Sequence, residues 1–291
     1  MKTSLLSVII VSLLFPCISL SQTTGSYGSS SGYPHGTLII IGGGEIGNVI
    51  KTRFKQAAGG NSARIVIIPT AMDDNELQSD SAFYRLRKAF ESDGFKNITI
   101  LHTRDSSMAN NEKFIEPLKT ATGIFFEGGR QWRIADGFLN TKAQREMFRL
   151  LDRGGVIAGS SAGATIQGSY LARGDSRNNQ IMMGDHQVGL GFVKNAAIDQ
   201  HVLARNRQFD MFEILKNHPE LLGIGIDEGT AIVVNGDVFE VIGKSYVIIY
   251  DKSFWSREGS DLKNLPDRNS LFYFLRSGDR YNLRERKVIP K

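Results

Sequence analysis

Ser161 stands at the centre of Gly159-Ser160-Ser161-Ala162-Gly163, directly after the apolar run Gly155-Val156-Ile157-Ala158. The pattern G-x-S-x-G at a strand-to-helix junction is that of a nucleophile elbow. Glycines let the backbone turn sharply, and the serine is left exposed at the edge of a sheet, over a helix N-terminus. There the N–H of Ala162 can face a developing oxyanion. A serine nucleophile needs a base, and the base needs an acid to orient it. Five histidines are available: His35, His102, His186, His201 and His218. His35 lies in a Ser/Gly-rich stretch, His186 in the polar turn Gly184-Asp185-His186, and His218 precedes Pro219 at a helix end. His102 ends a strand. His201 follows the apolar-rich Asn195-Ala196-Ala197-Ile198 in the cluster Asp199-Gln200-His201, and is the best base. Glu228 is the leading acid because it ends the apolar run Gly223–Asp227 and precedes Gly229, with Asp227 and Asp199 as competitors. The order serine, histidine, acid departs from the α/β-hydrolase order, so the elbow alone does not imply that fold.

A second glycine pattern, Gly42-Gly43-Gly44-Glu45-Ile46-Gly47, satisfies G-x-G-x-x-G after a strand. It raises an NAD-dependent oxidoreductase as a rival reading. A dinucleotide site also wants an acidic residue near the end of the second strand. That strand ends in Ile68-Pro69-Thr70, and Asp73 and Asp74 come late. A tight strand-to-helix turn is the simpler expectation. A non-catalytic exported binding protein is the other rival.

The elements that must position these residues read as α/β. Short, apolar-rich runs suit strands covered on both faces: 37–41, 64–69, 97–102, 122–127 and 155–159. Helix-compatible stretches separate them at 45–58, 76–92, 110–119 and 131–151. Alternation of this kind predicts a doubly wound, mostly parallel sheet with helices on both faces. From Leu222 to Asp251, Val/Ile alternation broken at Asn235-Gly236-Asp237 and Gly243-Lys244 predicts antiparallel hairpins. No repeat or second linker interrupts residues 37–291, which predicts one domain.

Composition sets the outer bounds. The chain has 291 residues, 41% hydrophobic and 22% charged, which excludes disordered and fibrous classes. Its net charge is +5, and Lys252–Lys291 holds ten basic against five acidic residues. So diffuse a surplus argues against nucleic acid as a partner. Residues Met1–Ser21 read as a secretory signal peptide: Lys2, an apolar run from Leu5 to Phe15, then Ser19-Leu20-Ser21 as a small-x-small cleavage site. Cys17, the only cysteine, would leave with it. A lipid anchor at Cys17 fits less well, because Phe15-Pro16 precedes it. Residues 22–36 are Ser/Gly-rich and predict a flexible linker. The expected location is therefore periplasmic or extracellular, with no membrane span in the mature chain. No H-E-x-x-H or H-x-x-x-H spacing offers zinc ligands, so no metal and no cofactor is expected.

Taken together, the turn at Gly42–Gly44, Phe125–Gln131 (FFEGGRQ), Gly159–Ala164 (GSSAGA), Asp199–His201 (DQH) and Gly223–Ala231 (GIGIDEGTA) resemble the cyanophycinase and aspartyl-dipeptidase family of serine peptidases. The resemblance implies a flavodoxin-like sheet related to class I glutamine amidotransferases, with serine in place of cysteine at the elbow. It implies Ser161 as nucleophile, His201 as base, Glu228 as orienting acid, and the N–H groups of Gly129 and Ala162 as oxyanion hole. It implies Gln131, Asp199, Gln200, Arg205 and Arg207 as substrate-binding, the substrate being multi-L-arginyl-poly-L-aspartate or a related β-aspartyl peptide, and it is compatible with a homodimer. Three positions depart from the family pattern. Asp210 stands where a third arginine is usual, Arg130 where Asp or Asn is usual, and Ile46-Gly47 where Asp-Lys is common.

Overall fold

The computed structural model describes residues 29–78, 80–257, 259 and 267–290. The five apolar runs form parallel strands: β1 (Thr37–Ile41), β2 (Arg64–Ile68), β3 (Asn97–Ile100), β4 (Gly123–Phe126) and β5 (Val156–Ser160). They lie side by side in the order β1-β5-β4-β2-β3, so the serine-bearing β5 is flanked by β1 and β4. Between them run α1 (Asn48–Ala57), α2 (Asp74–Leu77), α3 (Asp80–Ser92), α4 (Glu112–Thr120), α5 (Gln131–Phe138) and α6 (Lys142–Asp152), and α7 (Ala162–Thr165) follows β5.

The near-uniform apolarity of the inner strands has a direct cause, whereas the edge strand β3 (NITI) keeps polar, exposed Asn97 and Thr99. In β1, Leu38 and Ile40 join the core shared with α4, α5 and α6, whereas Ile39 and Ile41 join the core under α1. Each side chain of a strand with helices on both faces leaves water, so no polar alternation survives. The sequence-based boundaries fail where helices are interrupted. Residues 131–151 are two helices, not one. Asn140 takes φ 60°, and the Thr141 side chain accepts the Gln144 N–H to start the second. Residues 76–92 are likewise divided between α2 and α3.

The later part of the chain builds β6 (Gly168–Tyr170), β7 (Val193–Gln200), α8 (Met211–Asn217), β8 (Leu222–Ile226), β9 (Thr230–Asn235), β10 (Val238–Gly243), β11 (Tyr246–Tyr250), β12 (Tyr273–Arg276), β13 (Arg280–Asn282) and β14 (Lys287–Ile289). The hairpin expected at Asn235-Gly236-Asp237 forms, and β9–β10 extends the parallel sheet through an antiparallel β1–β9 pair. The second expected hairpin, at Gly243-Lys244, does not. Gly243 at φ 112° sends the chain into another sheet, ordered β12-β11-β8-β7-β6. There β11 pairs with β8. This second sheet packs one face onto the α4–α6 side of the first and the other onto α8.

Residues 29–36, within the stretch expected to be a flexible linker, are held against the body. Ser31 exchanges backbone hydrogen bonds with Lys194, Ser30 donates its hydroxyl to the Asn195 carbonyl, and Tyr33 packs on Phe148 and donates to Asp152. Small residues are needed here for contact rather than flexibility, because a side chain at Gly32 would overlap the Gly236 carbonyl. The signal peptide, Cys17 and residues 22–28 lie outside the described residues. No helix among the described residues is long and apolar enough to cross a membrane.

Asp251 ties the two sheets together. Its Oδ2 accepts from the hydroxyl of Tyr273 on β12 at 2.6 Å and from that of Tyr281 on β13 at 2.9 Å. Both tyrosines are buried. Asp251→Ala removes the carboxylate that accepts from two buried phenols and is expected to cost about 3 kcal/mol. Urea denaturation checks it, read as a lower midpoint at unchanged slope.

Candidate functional site

Ser161 follows β5 at φ 56° and ψ −112°, a conformation L residues rarely adopt. Two contacts force the turn. A Cβ at Gly159 would overlap the Gly163 carbonyl, and one at Gly163 would overlap the Phe126 carbonyl of β4. The Ser161 N–H donates to the Ile41 carbonyl at the end of β1, 3.0 Å away. The serine is thereby pinned between the ends of both flanking strands, with α7 starting at Ala162.

Ser161 Oγ lies 2.8 Å from His201 Nε2, and His201 Nδ1 lies 2.5 Å from Glu228 Oε1. These distances set the tautomer: Nδ1–H donates to the carboxylate, which leaves Nε2 to accept the serine proton. His201 comes from the end of β7, where φ is 55°, and Glu228 from the turn between β8 and β9. His201 is buried, and burial lowers its pKa from the ordinary value, partly opposed by the hydrogen bond to Glu228 and assisted by the charge of Arg205. A neutral imidazole at neutral pH is what a base requires. The Gly42–Gly44 turn underlies this pair. A Cβ at Gly43 would overlap the His201 ring, and one at Gly44 would crowd the Glu228 carboxylate. The glycines read from sequence as a possible nucleotide turn thus let backbone approach an imidazole and its carboxylate.

The other histidines are elsewhere. His102 meets Thr70, His186 sits between Asp136 and Asp185, and His218 packs at a tilt against Tyr170. The competing acids are committed too. Asp227 accepts the N–H groups of Leu203 and Ala204 and the hydroxyl of Ser245. Asp199 forms a two-pronged pair with Arg173, Oδ1 to Nε at 2.8 Å and Oδ2 to Nη2 at 2.9 Å.

Of the residues expected at the oxyanion hole, Gly129 follows β4 at φ 134°, and Ala162 opens α7. Gly128 brings this loop against Ser161. Among the expected substrate contacts, Arg205 is exposed and Arg207 is nearly buried, touching Gln200 only at 3.4 Å. Both guanidinium charges act on His201. Gln131 is held from within the fold. It is 1% exposed, and its side-chain NH₂ donates to the carbonyls of Ala172 and Arg173, so it braces that segment. Asp199, 1% exposed, is spent in the same way on Arg173.

Arg173 itself escaped the sequence reading. It is fully buried at φ 55°, and its Nη2 also donates to Asp210 Oδ2 at 2.6 Å. The acid at 210 therefore neutralises an arginine of this chain. Arg130 reaches from beside Gly129 to the Asp175 carbonyl. Among the described residues, no cluster of three His, Cys, Asp or Glu side chains is arranged to hold a metal ion.

A mostly parallel sheet with a serine elbow on an inner strand and an imidazole–carboxylate pair beside it has the form of a hydrolase. The family model for peptidase family S51 matches residues 38–242, and this chain belongs to that family. It is 34% identical over 263 residues to a cyanophycinase of Geminocystis herdmanii, covering 86% of this chain and 94% of that protein. It is 31% identical to a cyanophycinase of Synechococcus elongatus over 288 residues, 95% of this chain and 88% of the other. Among solved structures, a peptidase from an acI-B1 actinobacterium superposes with a TM-score of 0.62 at 25% identity, over 86% of this chain and 98% of that one. A putative peptidase E protein from Listeria monocytogenes shares the fold at a TM-score of 0.51 and 16% identity, over 72% of this chain and all of that one.

Arg173→Met would leave the Asp199 carboxylate buried and unpaired, at an expected cost of about 4 kcal/mol. Chemical denaturation against wild type measures it. Equal stability would show that Asp199 finds another partner.

Proposed function

We propose that this chain is an exported serine peptidase of cyanophycinase type, cleaving aspartyl or β-aspartyl peptide bonds through an acyl-enzyme. The observation that carries the reading is the continuous relay from Ser161 Oγ to His201 Nε2 and from His201 Nδ1 to Glu228. Ser161 Oγ attacks the scissile carbonyl carbon as its proton passes to Nε2. Glu228 keeps the ring oriented and stabilises the imidazolium. The N–H groups of Gly129 and Ala162 receive the oxyanion. As the C–N bond breaks, Nε2–H protonates the leaving amine. Water then gives a proton to His201 and attacks the ester carbonyl, and as the acyl–oxygen bond breaks Nε2–H returns that proton to Ser161 Oγ, which frees the carboxylic product. Arg205 and Arg207 supply cationic groups for a substrate carboxylate, with Gln200 beside them. Gln131 and Asp199 act from behind this surface, by fixing the Ala172–Arg173 segment. Residues 1–21 serve as signal peptide, and 37–291 form one peptidase domain.

Incubation with cyanophycin, followed by mass spectrometry of the products, tests the proposal. Wild type is expected to release β-Asp-Arg. Ser161→Ala is expected to lose at least about 10⁴-fold in rate while keeping its fold. Release by neither protein, with both folded, would reject the substrate. Equal release by both would reject the nucleophile.

The pH profile carries its own sign. Protonated His201 cannot take the serine proton, so kcat/KM should fall as pH drops through the pKa of His201. Burial sets that pKa below the ordinary histidine value. A half-maximal point above the ordinary value of about 6.5 would contradict this assignment.

A further inference from the structure

On the face of the first sheet away from α4–α6, a cavity of about 420 Å³ opens between α1 and α3. That is within the usual size of a small-molecule site. It lies at the carboxyl ends of β1 and β4, where ligands of open α/β sheets are commonly held. Its inner wall is aromatic. Phe54, Phe90, Phe95 and Phe125 touch one another with ring centroids 5.2 to 5.9 Å apart. Its mouth is formed by Glu45, Ile46 and Gly47, the end of the glycine turn that the relay does not use.

Charge decides what such a cavity takes. Glu45, Asp93 and Glu127 line it against a single cation, Lys51. Lys51 is already paired with Asp93 at 2.8 Å. Glu127 is the group without an explanation. It sits directly before Gly128-Gly129, and its carboxyl receives only the Gly128 N–H. No ion pair reaches it among the described residues. Burial pushes it up to about 7, the response of a carboxyl that lacks a cation. A pyrophosphate would meet carboxylates here, which argues against a dinucleotide. An ammonium or guanidinium on an apolar stem would meet aromatic faces and a carboxylate.

We propose that this cavity is a second ligand site, separate from the Ser161 relay, for a small organic cation with an aromatic or aliphatic body, Glu127 being its counter-ion. The claim does not depend on the peptidase reading, and its test reads binding rather than turnover. The probe is 4-phenylbutylammonium, compared with the neutral 4-phenylbutanol and with NADH, by isothermal titration of the full chain at about pH 8, where Glu127 is ionised. Saturable binding of the ammonium is expected. Glu127→Gln should weaken it at least about tenfold while the weaker alcohol changes little. Ala89→Trp, which fills the cavity from α3, should abolish binding of both. The proposal fails if the ammonium does not saturate by about 10 mM. It also fails if Glu127→Gln binds it as well as wild type does, if Ala89→Trp leaves it unchanged, or if NADH binds in its place.

Discussion

A single backbone turn fixes the geometry on which everything else depends. At φ 56° and ψ −112°, Ser161 stores strain of about 1–3 kcal/mol, and strain of this kind persists only where its surroundings leave no alternative. Here they do not. β5 is hydrogen-bonded on both sides, the Ser161 N–H is held by Ile41, and Gly159 and Gly163 are packed against carbonyls that exclude any side chain. Relaxing the turn would drive α7 away from β4. The hydrogen bonds and close backbone contacts at these strand ends therefore hold Ser161 in one geometry, the kind of rigidity that preorganises a reacting group.

Around that fixed point, the second sheet delivers the partners. β7 ends just before His201, and β8 ends just before Asp227-Glu228, in parallel register with β7. The neighbouring carboxylates have separate tasks. Glu228 meets the imidazole, Asp227 caps the backbone after His201, and Asp199 holds Arg173. The buried Arg173 joins the loop after β6 to the end of β7 and the start of α8. A charge removed from water is tolerable only with its partners in place, so these three segments are obliged to assemble together. Asp210 belongs to this arrangement. Read alone, it reverses the charge beside a substrate pocket; in the fold, it completes the shell of Arg173.

The elements legible in the sequence share a local cause. Strands buried on both faces must be apolar almost throughout, so 37–41, 64–69 and 155–159 declare themselves. The elbow is also local, since glycine spacing and the serine lie within five residues. Helix ends were less legible, because Asn140 and Thr141 interrupt a pattern whose apolar period continues across them. The break at Gly243-Lys244 looks like a hairpin turn, since a glycine that reverses a strand and one that transfers it to another sheet carry the same local signal.

The sequence by itself therefore determined the sheet class, the elbow and Ser161, because each is encoded by neighbours in the chain. The sequence also singled out His201 and Glu228 from several candidates, but only the tertiary structure brought them into line with Ser161, across separations of 40 and 27 residues. It likewise decided that Asp199 and Asp210 serve Arg173, that Gln131 braces a backbone, and that Gly43 and Gly44 exist to admit His201 and Glu228. Hydrogen bonds and excluded volume between distant segments leave no periodicity in the chain. They depend on where the two sheets bring their strand ends together, and that placement is a property of the packed core.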